Sequence, residues 1–183
     1  SNLTLFHNGP STCSQKVRLI LGLKNLTYES KIIDLQAGEQ HDAEYIKLNP
    51  NHVVPTLICD EKILVESSLI LEFLEDKFPE KPARSKIPEE IHQMRLWMKT
   101  IDAYHIHGGS ITYGIGVRNI LILKPKDELD KEIDEIPDLE KRENRRDLIE
   151  NGLEAKCVIE GLKQSKILMD KLCLLYTSPS PRD

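Results

Sequence analysis

Val53-Val54-Pro55-Thr56-Leu57-Ile58-Cys59-Asp60-Glu61-Lys62-Ile63-Leu64-Val65-Glu66-Ser67-Ser68 carries more topological information than any other stretch of the chain. Pro55 stands at the mouth of a strand, where no ladder N–H is needed. Thr56 to Cys59 is β-forming, Asp60-Glu61-Lys62 is a tight polar connection, and Ile63 to Val65 returns, so the segment reads as an antiparallel hairpin. Glu66-Ser67-Ser68 then leads into Leu69, Ile70, Leu71, Phe73 and Leu74, a helix expected to carry a serine at its N-cap.

Upstream, Leu3 to Phe6 is a short strand stopped by Asn8-Gly9-Pro10. From Ser11 or Thr12 to Lys24 the pattern turns helical, with Val17, Leu19, Ile20, Leu21 and Leu23 as its apolar face. Tyr28 to Leu35 is a second strand, Gln36 to Asp42 is polar, Ala43 to Leu48 is a short helix and Asn49-Pro50-Asn51 is a turn. The order β-α-β-α-β-β-α joins a parallel βαβ unit to an antiparallel hairpin. The expected fold class is therefore an α/β thioredoxin-like N-terminal domain over residues 1–78.

Phe78 to Lys86, with Pro79 and Pro82, marks a linker over 79–86. Beyond it an all-α, incomplete helical domain is expected over 87–173. Ile87 to about Tyr104 is helical, with Pro88 in its first turn. Gly108, Gly109, Gly114 and Gly116 loosen the next stretch. Asp127 to Ile136 and Asp138 to Leu172 are helical, the latter broken at Gly152. Residues 174–183, with two Ser-Pro pairs and no periodicity, read as a non-native scar or a flexible tail.

Among 183 residues the net charge is -5, which gives no general attraction to nucleic acid or an anionic membrane. Arg142, Arg145 and Arg146 alternate with Glu140, Glu143 and Asp147, as on a solvated helix face. No apolar run is long enough to span a bilayer. Cys13, Cys59, Cys157 and Cys173 have neither C-x-x-C pairing nor zinc-ligand spacing, so no metal is expected and a reducing, cytoplasmic setting fits.

Chemistry can sit in several places. At Gly9-Pro10-Ser11-Thr12-Cys13-Ser14 a strand turns into a helix whose N-terminus favours an anion. There Cys13 can act as a nucleophile and Ser11 can donate to a bound thiolate; the alternative is a plain N-cap and a small buried Cys. Val54-Pro55 can be a cis bond shaping a ligand-facing edge, although most X-Pro bonds are trans. Glu66-Ser67 suits a ligand's carboxylate and ammonium, or merely caps a helix. Gln40-His41 lies in a polar loop, where an exposed His is ordinarily just surface.

In order and in one reading frame, these pieces resemble the glutathione transferase family. Ser11-Thr12-Cys13-Ser14 resembles the serine-type start of its zeta and theta classes, and Cys13 falls where the bacterial beta class carries cysteine. Asn49-Pro50 with Val54-Pro55-Thr56-Leu57 resembles the cis-Pro loop, and Glu66-Ser67-Ser68 the γ-glutamyl-binding helix start. In the second half, Met94-Arg95-Leu96-Trp97 with Asp102, Glu135-Ile136-Pro137, and Arg145-Arg146 to Gly152 are similar to the bacterial β-aryl etherase branch, which Gln40-His41 also fits. The resemblance covers roughly residues 3 to 80, and the second half more weakly.

The resemblance implies glutathione as co-substrate, a small electrophile, no metal and a homodimer. It places the cysteinyl backbone against Val54 beside Pro55, the γ-glutamyl end at Glu66 and Ser67, and the glycine carboxylate near Gln40 or His41. Ser11 would hold the thiolate; alternatively Cys13 would form a mixed disulfide, or the chain would bind glutathione without catalysis. Lys16 occupies the place of a second Cys, which argues against dithiol exchange. Two departures stand out. Val53 replaces the Lys or Gln of many relatives, and a C-terminal truncation is expected because nothing after Leu172 supplies the family's later helices. Such a truncation would bare Ile159, Leu162, Ile167 and Leu168.

Overall fold

The structure, a computed structural model, describes residues 1–134, 136 and 138–177. Glu135 and Pro137 of the etherase-like motif, and residues 178–183 of the C-terminal run, lie outside the described residues. The chain divides into two units, Ser1–Arg95 and Leu96–Asp183.

In the first unit the elements are β1 (Leu3–His7), α1 (Thr12–Leu23), β2 (Glu29–Ile32), α2 (Ala43–Leu48), β3 (Thr56–Cys59), β4 (Lys62–Leu64) and α3 (Ser67–Lys77). The 4-stranded sheet runs β2-β1-β3-β4. β2 is parallel to β1, with Leu5 opposite Ser30, while β3 is antiparallel, with Phe6 opposite Thr56. β4 returns against β3, with Leu57 opposite Leu64. This is the thioredoxin-like mixed sheet that the order of elements implies.

Alternation along β1 builds two packing layers, because successive side chains leave opposite faces. Leu3 and Leu5 join Val17, Ile20 and Leu21 of α1, Leu57 and Cys59 of β3, and Ile70 and Leu74 of α3 in one core. Phe6, the next residue along, packs on the other face with Ile33, Tyr45, Leu48 and Val54. Fully burying a side chain of this size stabilises by about 1.5–3 kcal/mol, so these positions dominate the fold.

On α1 the buried apolar set is Val17, Ile20 and Leu21, at i, i+3 and i+4. Leu19 and Leu23 are each 67% exposed, so the apolar face is narrower than the sequence suggests. β2 is also shorter than expected, ending at Ile32 rather than Leu35, although the Ile33 N–H still donates to the His7 carbonyl at 2.9 Å. At α3 the N-cap falls on Glu66 rather than on a serine, and Ser67 is the first helical residue. Only Val65 and Glu66 connect β4 to α3, and Glu66 turns that corner at a φ of 67°.

The expected linker is tied down. Lys24, 1% exposed at its side chain, sits 2.7 Å from the Glu75 carboxylate and donates to the Phe78 and Lys81 carbonyls at 2.9 Å each. Glu75 also accepts from the Ala83 N–H at 3.1 Å. Burial alone would raise the Glu75 carboxyl; the Lys24 ammonium and the Ala83 N–H outweigh it and hold the group below its ordinary range.

α4 (Pro88–Thr112) runs from the first unit into the second. There a π-helical turn at Tyr113–Val117, α5 (Arg118–Leu121), α6 (Lys126–Asp134), α7 (Leu139–Asn151) and α8 (Lys156–Thr177) follow. The glycine-rich stretch after Tyr104 is therefore helical, not loosened. A Cβ at Gly114 would stand 3.0 Å from Val158, so this glycine serves a close helix approach. The break between α7 and α8 comes at Gly152, whose φ of 58° ends α7. α8 extends through Thr177, into the run read as a tail; Pro179 is the first helix breaker the sequence supplies there. Ile159, Leu162 and Ile167 are exposed, and Leu168 is half-buried.

Candidate functional site

Strand direction alone brings the expected site residues to one edge of the sheet. β1 and β2 run parallel and end there, β3 starts there, and β4 ends there. Ser11 and Cys13 follow β1, Gln40 and His41 follow β2, Val54 and Pro55 precede β3, and Glu66 and Ser67 follow β4. In sheet order the segments stand as Gln40-His41, Ser11-Cys13, Val54-Pro55 and Glu66-Ser67. With neighbouring strands about 4.8 Å apart, the outer two lie roughly 14 Å apart.

Ser11 is the N-cap of α1: its Oγ accepts from the Ser14 N–H at 3.2 Å. A hydroxyl has two lone pairs and one proton, so capping consumes acceptor capacity and leaves the O–H able to donate. Both sequence readings of Ser11 are thus compatible. Cys13 lies in the first turn of α1, half-buried and outside any disulfide.

The loop between them and β1 is braced from α1. Arg18 donates to the carbonyls of Asn8 at 3.0 Å and Gly9 at 2.9 Å. Its guanidinium also lies 3.1 Å from His7 Nδ1. Arginine cannot accept, so Nδ1 is unprotonated and His7 Nε2–H donates to Ser30 Oγ at 2.8 Å. Burial first, then the Arg18 charge, push His7 below the ordinary imidazole pKa. The native state therefore binds fewer protons than the unfolded chain, and its His7-linked stability is present above about pH 6.5 and fades below it. Urea midpoints should fall between pH 7.5 and pH 5 in the wild type and fall less in His7→Gln; equal slopes would remove His7 from this role.

Val54–Pro55 is cis. The carbonyl before it, Val53 O, accepts from Tyr45 Oη at 2.7 Å and Asn49 Nδ2 at 2.8 Å. Both donors also contact Thr56 Oγ1, at 3.0 and 3.1 Å. This cradle clamps the chain on either side of Val54. None of the turn and loop hydrogen bonds among the described residues uses the Val54 N–H or C=O. A stretch of backbone so held, its N–H and C=O unused by those bonds, is a template for strand addition even though the Val54 side chain is buried.

Glu66 precedes the open N-terminus of α3, whose intrahelical bonding begins only with Ile70 N–H to Glu66 O at 2.9 Å. The N–H groups of Ser67, Ser68 and Leu69 precede that first bond. Lys16 reaches across from α1 to Ser68 Oγ at 3.0 Å, which puts a cation beside this turn. On the far side, Gln40 and His41 lie in the 3₁₀ turn Glu39–His41. Gln40 Oε1 is buried without a partner, and His41 meets His52. Tyr45, Asn49, Thr56, Arg18 and His52 were missed as site residues. The i, i+4 spacing of Tyr45 and Asn49, and the i, i+7 spacing of Ser11 and Arg18, place each pair on one helix face and are the signals that point to them.

The open clefts beside Phe6, Ile33 and Tyr45, and beside Cys59, Asp60 and Phe73, include none of Ser11, Val54, Glu66 or Ser67. The expected site residues lie instead along the strand ends, outside both clefts. Among the described residues no group of three or more His, Cys, Asp or Glu is arranged to hold a metal, and no helix is long and apolar enough to cross a membrane.

Residues 10–77 match the glutathione S-transferase N-terminal domain. A zeta-class glutathione S-transferase from Euphorbia esula is 41% identical over 94 residues, covering 51% of this chain and 40% of the plant protein. Maleylacetoacetate isomerase from Dictyostelium discoideum is 45% identical over 93 residues, 50% of this chain and 42% of that protein. Protein LigF from Sphingobium is 29% identical over 173 residues, 93% of this chain and 67% of LigF. The crystal structure of the β-etherase LigF superposes with a TM-score of 0.81 over 94% of this chain and 72% of that one. The chain thus spans about two fifths of the zeta-class relatives' length and about two thirds of LigF. By its sheet, its domain match and these relatives, the first half of the chain carries a glutathione S-transferase N-terminal domain, and most of the chain is similar to LigF.

Proposed function

We propose that the chain is a glutathione transferase that binds glutathione across the strand ends and activates its thiol for attack on an electrophilic carbon. The observation that carries this reading is the alignment, on one sheet edge, of a hydroxyl donor, a clamped strand template and an open helix N-terminus. An extended tripeptide backbone is about 10–11 Å long, and side-chain reach at its ends covers the roughly 14 Å between the outer strands. The cysteinyl unit pairs with Val54 beside Pro55, the γ-glutamyl end takes Glu66 and Ser67, and the glycyl carboxylate reaches Gln40 and His41. Ser11 donates to the thiolate. That thiolate bonds to carbon as the leaving group departs with the bonding pair; similarity to LigF along most of the chain favours an aryl ether, with aryloxide leaving.

The same reading makes residues 1–78 the glutathione-binding domain and 87–173 the helical domain of a cytoplasmic, homodimeric detoxification enzyme. A second reading rests on Cys13 in the first turn of α1, where a helix N-terminus favours thiolate. There Cys13 attacks oxidised glutathione, forming a mixed disulfide and releasing one glutathione thiolate. Mass spectrometry after oxidised glutathione separates the two: modified Cys13 favours thiol transfer, and unmodified Cys13 removes it.

Thermal unfolding across a glutathione series, with thiol-free ophthalmic acid in parallel, tests the site. A ligand at 100 times its Kd stabilises the native state by about 2.7 kcal/mol. Both ligands should raise the midpoint; no shift in a cooperatively folding sample would sink the reading.

A further inference from the structure

His7 is a buried titratable group that the proposed chemistry does not use, 5% exposed at the end of β1. It faces Arg18 from α1, Ser30 from β2 and, edge-on at 6.5 Å, the ring of Tyr28. Among the described residues Arg18 is the one charge that shifts its proton affinity.

Hydrogen bonds run from this ring to Ser11 without a gap. Arg18 Nη1 meets His7 Nδ1 at 3.1 Å and donates to Asn8 O at 3.0 Å, while Nη2 donates to Gly9 O at 2.9 Å. The Asn8 N–H donates to Ser14 Oγ at 3.3 Å, and the Ser14 N–H donates to Ser11 Oγ at 3.2 Å. Ser14 is fully buried, and Asn8 Nδ2 is tied to Ile33 O at 3.0 Å, so the series has little room to adjust.

A further proton has one place to enter the imidazole. Nε2 already carries its hydrogen toward Ser30, which leaves the Nδ1 lone pair that Arg18 uses. A proton there turns the acceptor into a donor and sets a second cation beside a guanidinium that keeps its own charge. The contact then repels. His7 is fixed in the sheet, so the longer Arg18 side chain gives way, and its hold on Asn8 and Gly9 goes with it.

We propose that His7 and Arg18 form a proton-operated latch on the Ser11 loop: neutral His7 holds Arg18 against Asn8 and Gly9, and protonation at Nδ1 releases it. Arg18 is thus a positioning residue, acting through the loop on the Ser11 hydroxyl. The proposal rests on the glutathione reading above and adds to it an acid cut-off set outside the ligand contacts. Burial and the Arg18 charge hold His7 below its ordinary pKa, so the latch is shut at neutral pH and opens only below about pH 6.5.

The test is kcat at saturating glutathione with a dinitro-substituted aryl chloride, followed from about pH 8 to about pH 4.5 with circular dichroism confirming the fold at each point. Bound thiol and His7 each take up one proton, so wild-type kcat should fall about tenfold per pH unit at first and about a hundredfold once both titrate. His7→Asn keeps an amide oxygen near the place of Nδ1 but cannot be protonated, so its fall should stay at about tenfold per unit. Arg18→Met removes the latch. It should lose about tenfold or more of kcat at neutral pH, keep its glutathione Kd within about threefold, and show the same one-proton limb. A one-proton limb in the wild type, read without any variant, would overturn the latch. So would a two-proton limb retained in His7→Asn or Arg18→Met, or an unchanged kcat in Arg18→Met. A wild type with neither turnover nor glutathione binding would instead overturn the glutathione reading itself.

Discussion

A Ser11→Ala variant turns over about ten- to 150-fold more slowly than wild type, while its Kd for glutathione changes by less than about threefold. The range is the worth of one hydrogen bond to a charged group, about 1.5–3 kcal/mol. Ser11 Oγ already accepts from Ser14 N–H, so its proton is what remains for the thiolate. A free thiol has a pKa near 8.5, and losing a donor of this strength moves the bound thiol's pKa up by about 1–2 units toward that value. The pH–rate profile should therefore shift alkaline in the variant. Ser11 also caps α1, so the variant should lose about 1 kcal/mol of stability as well. Ser11→Gly costs only a few tenths as a cap, and it should show the same slow turnover with little melting change. Unchanged turnover in both would remove Ser11 from the chemistry.

The largest stability change is expected at Lys24. Lys24→Met leaves the Glu75 carboxylate buried without its ammonium and strips donors from Phe78 O and Lys81 O. Breaking a buried pair by removing one partner costs about 3–5 kcal/mol, because the surviving charge stays desolvated. For a chain of this size that lowers the melting midpoint by roughly 6 to 20 °C. Replacing both partners, Lys24→Met with Glu75→Leu, should recover much of the loss, since an apolar pair of similar volume leaves no charge stranded. A single variant within about 1 kcal/mol of wild type would show that water reaches Glu75 and that the tie is weaker than its burial implies.

Sheet topology was legible in the sequence because its signals are local. Pro55, the polar corner at Asp60-Glu61 and the two-residue alternation on either side point to one hairpin, and strand lengths follow within a few residues. The α1 face was legible in position but not in width: Leu19 and Leu23 satisfy a hydrophobic reading, yet only the 3.6-residue period distinguishes them from Val17, Ile20 and Leu21. Capping of α3 was misread because Ser67 has the right chemistry, while the short connection from β4 puts Glu66 at the corner. Glycines after Tyr104 suggest a break, but helix packing at Gly114 turns the missing Cβ into an advantage. The supporting residues of the site were the least legible. Arg18, Tyr45 and His52 act on partners brought near by the turns of the fold, and helix spacing alone hints at the first two.

On the proposed reading the ligand lies across strand ends rather than along any one strand. Each strand therefore answers for one part of the ligand through its own loop, and the loops share little covalent structure. A mutation that retunes one end of the recognised molecule leaves the grip on the other end almost untouched. Selection can then act on the subsites one at a time, so a lineage can alter what it recognises by small separate steps while the hydrophobic layers beneath stay as they are.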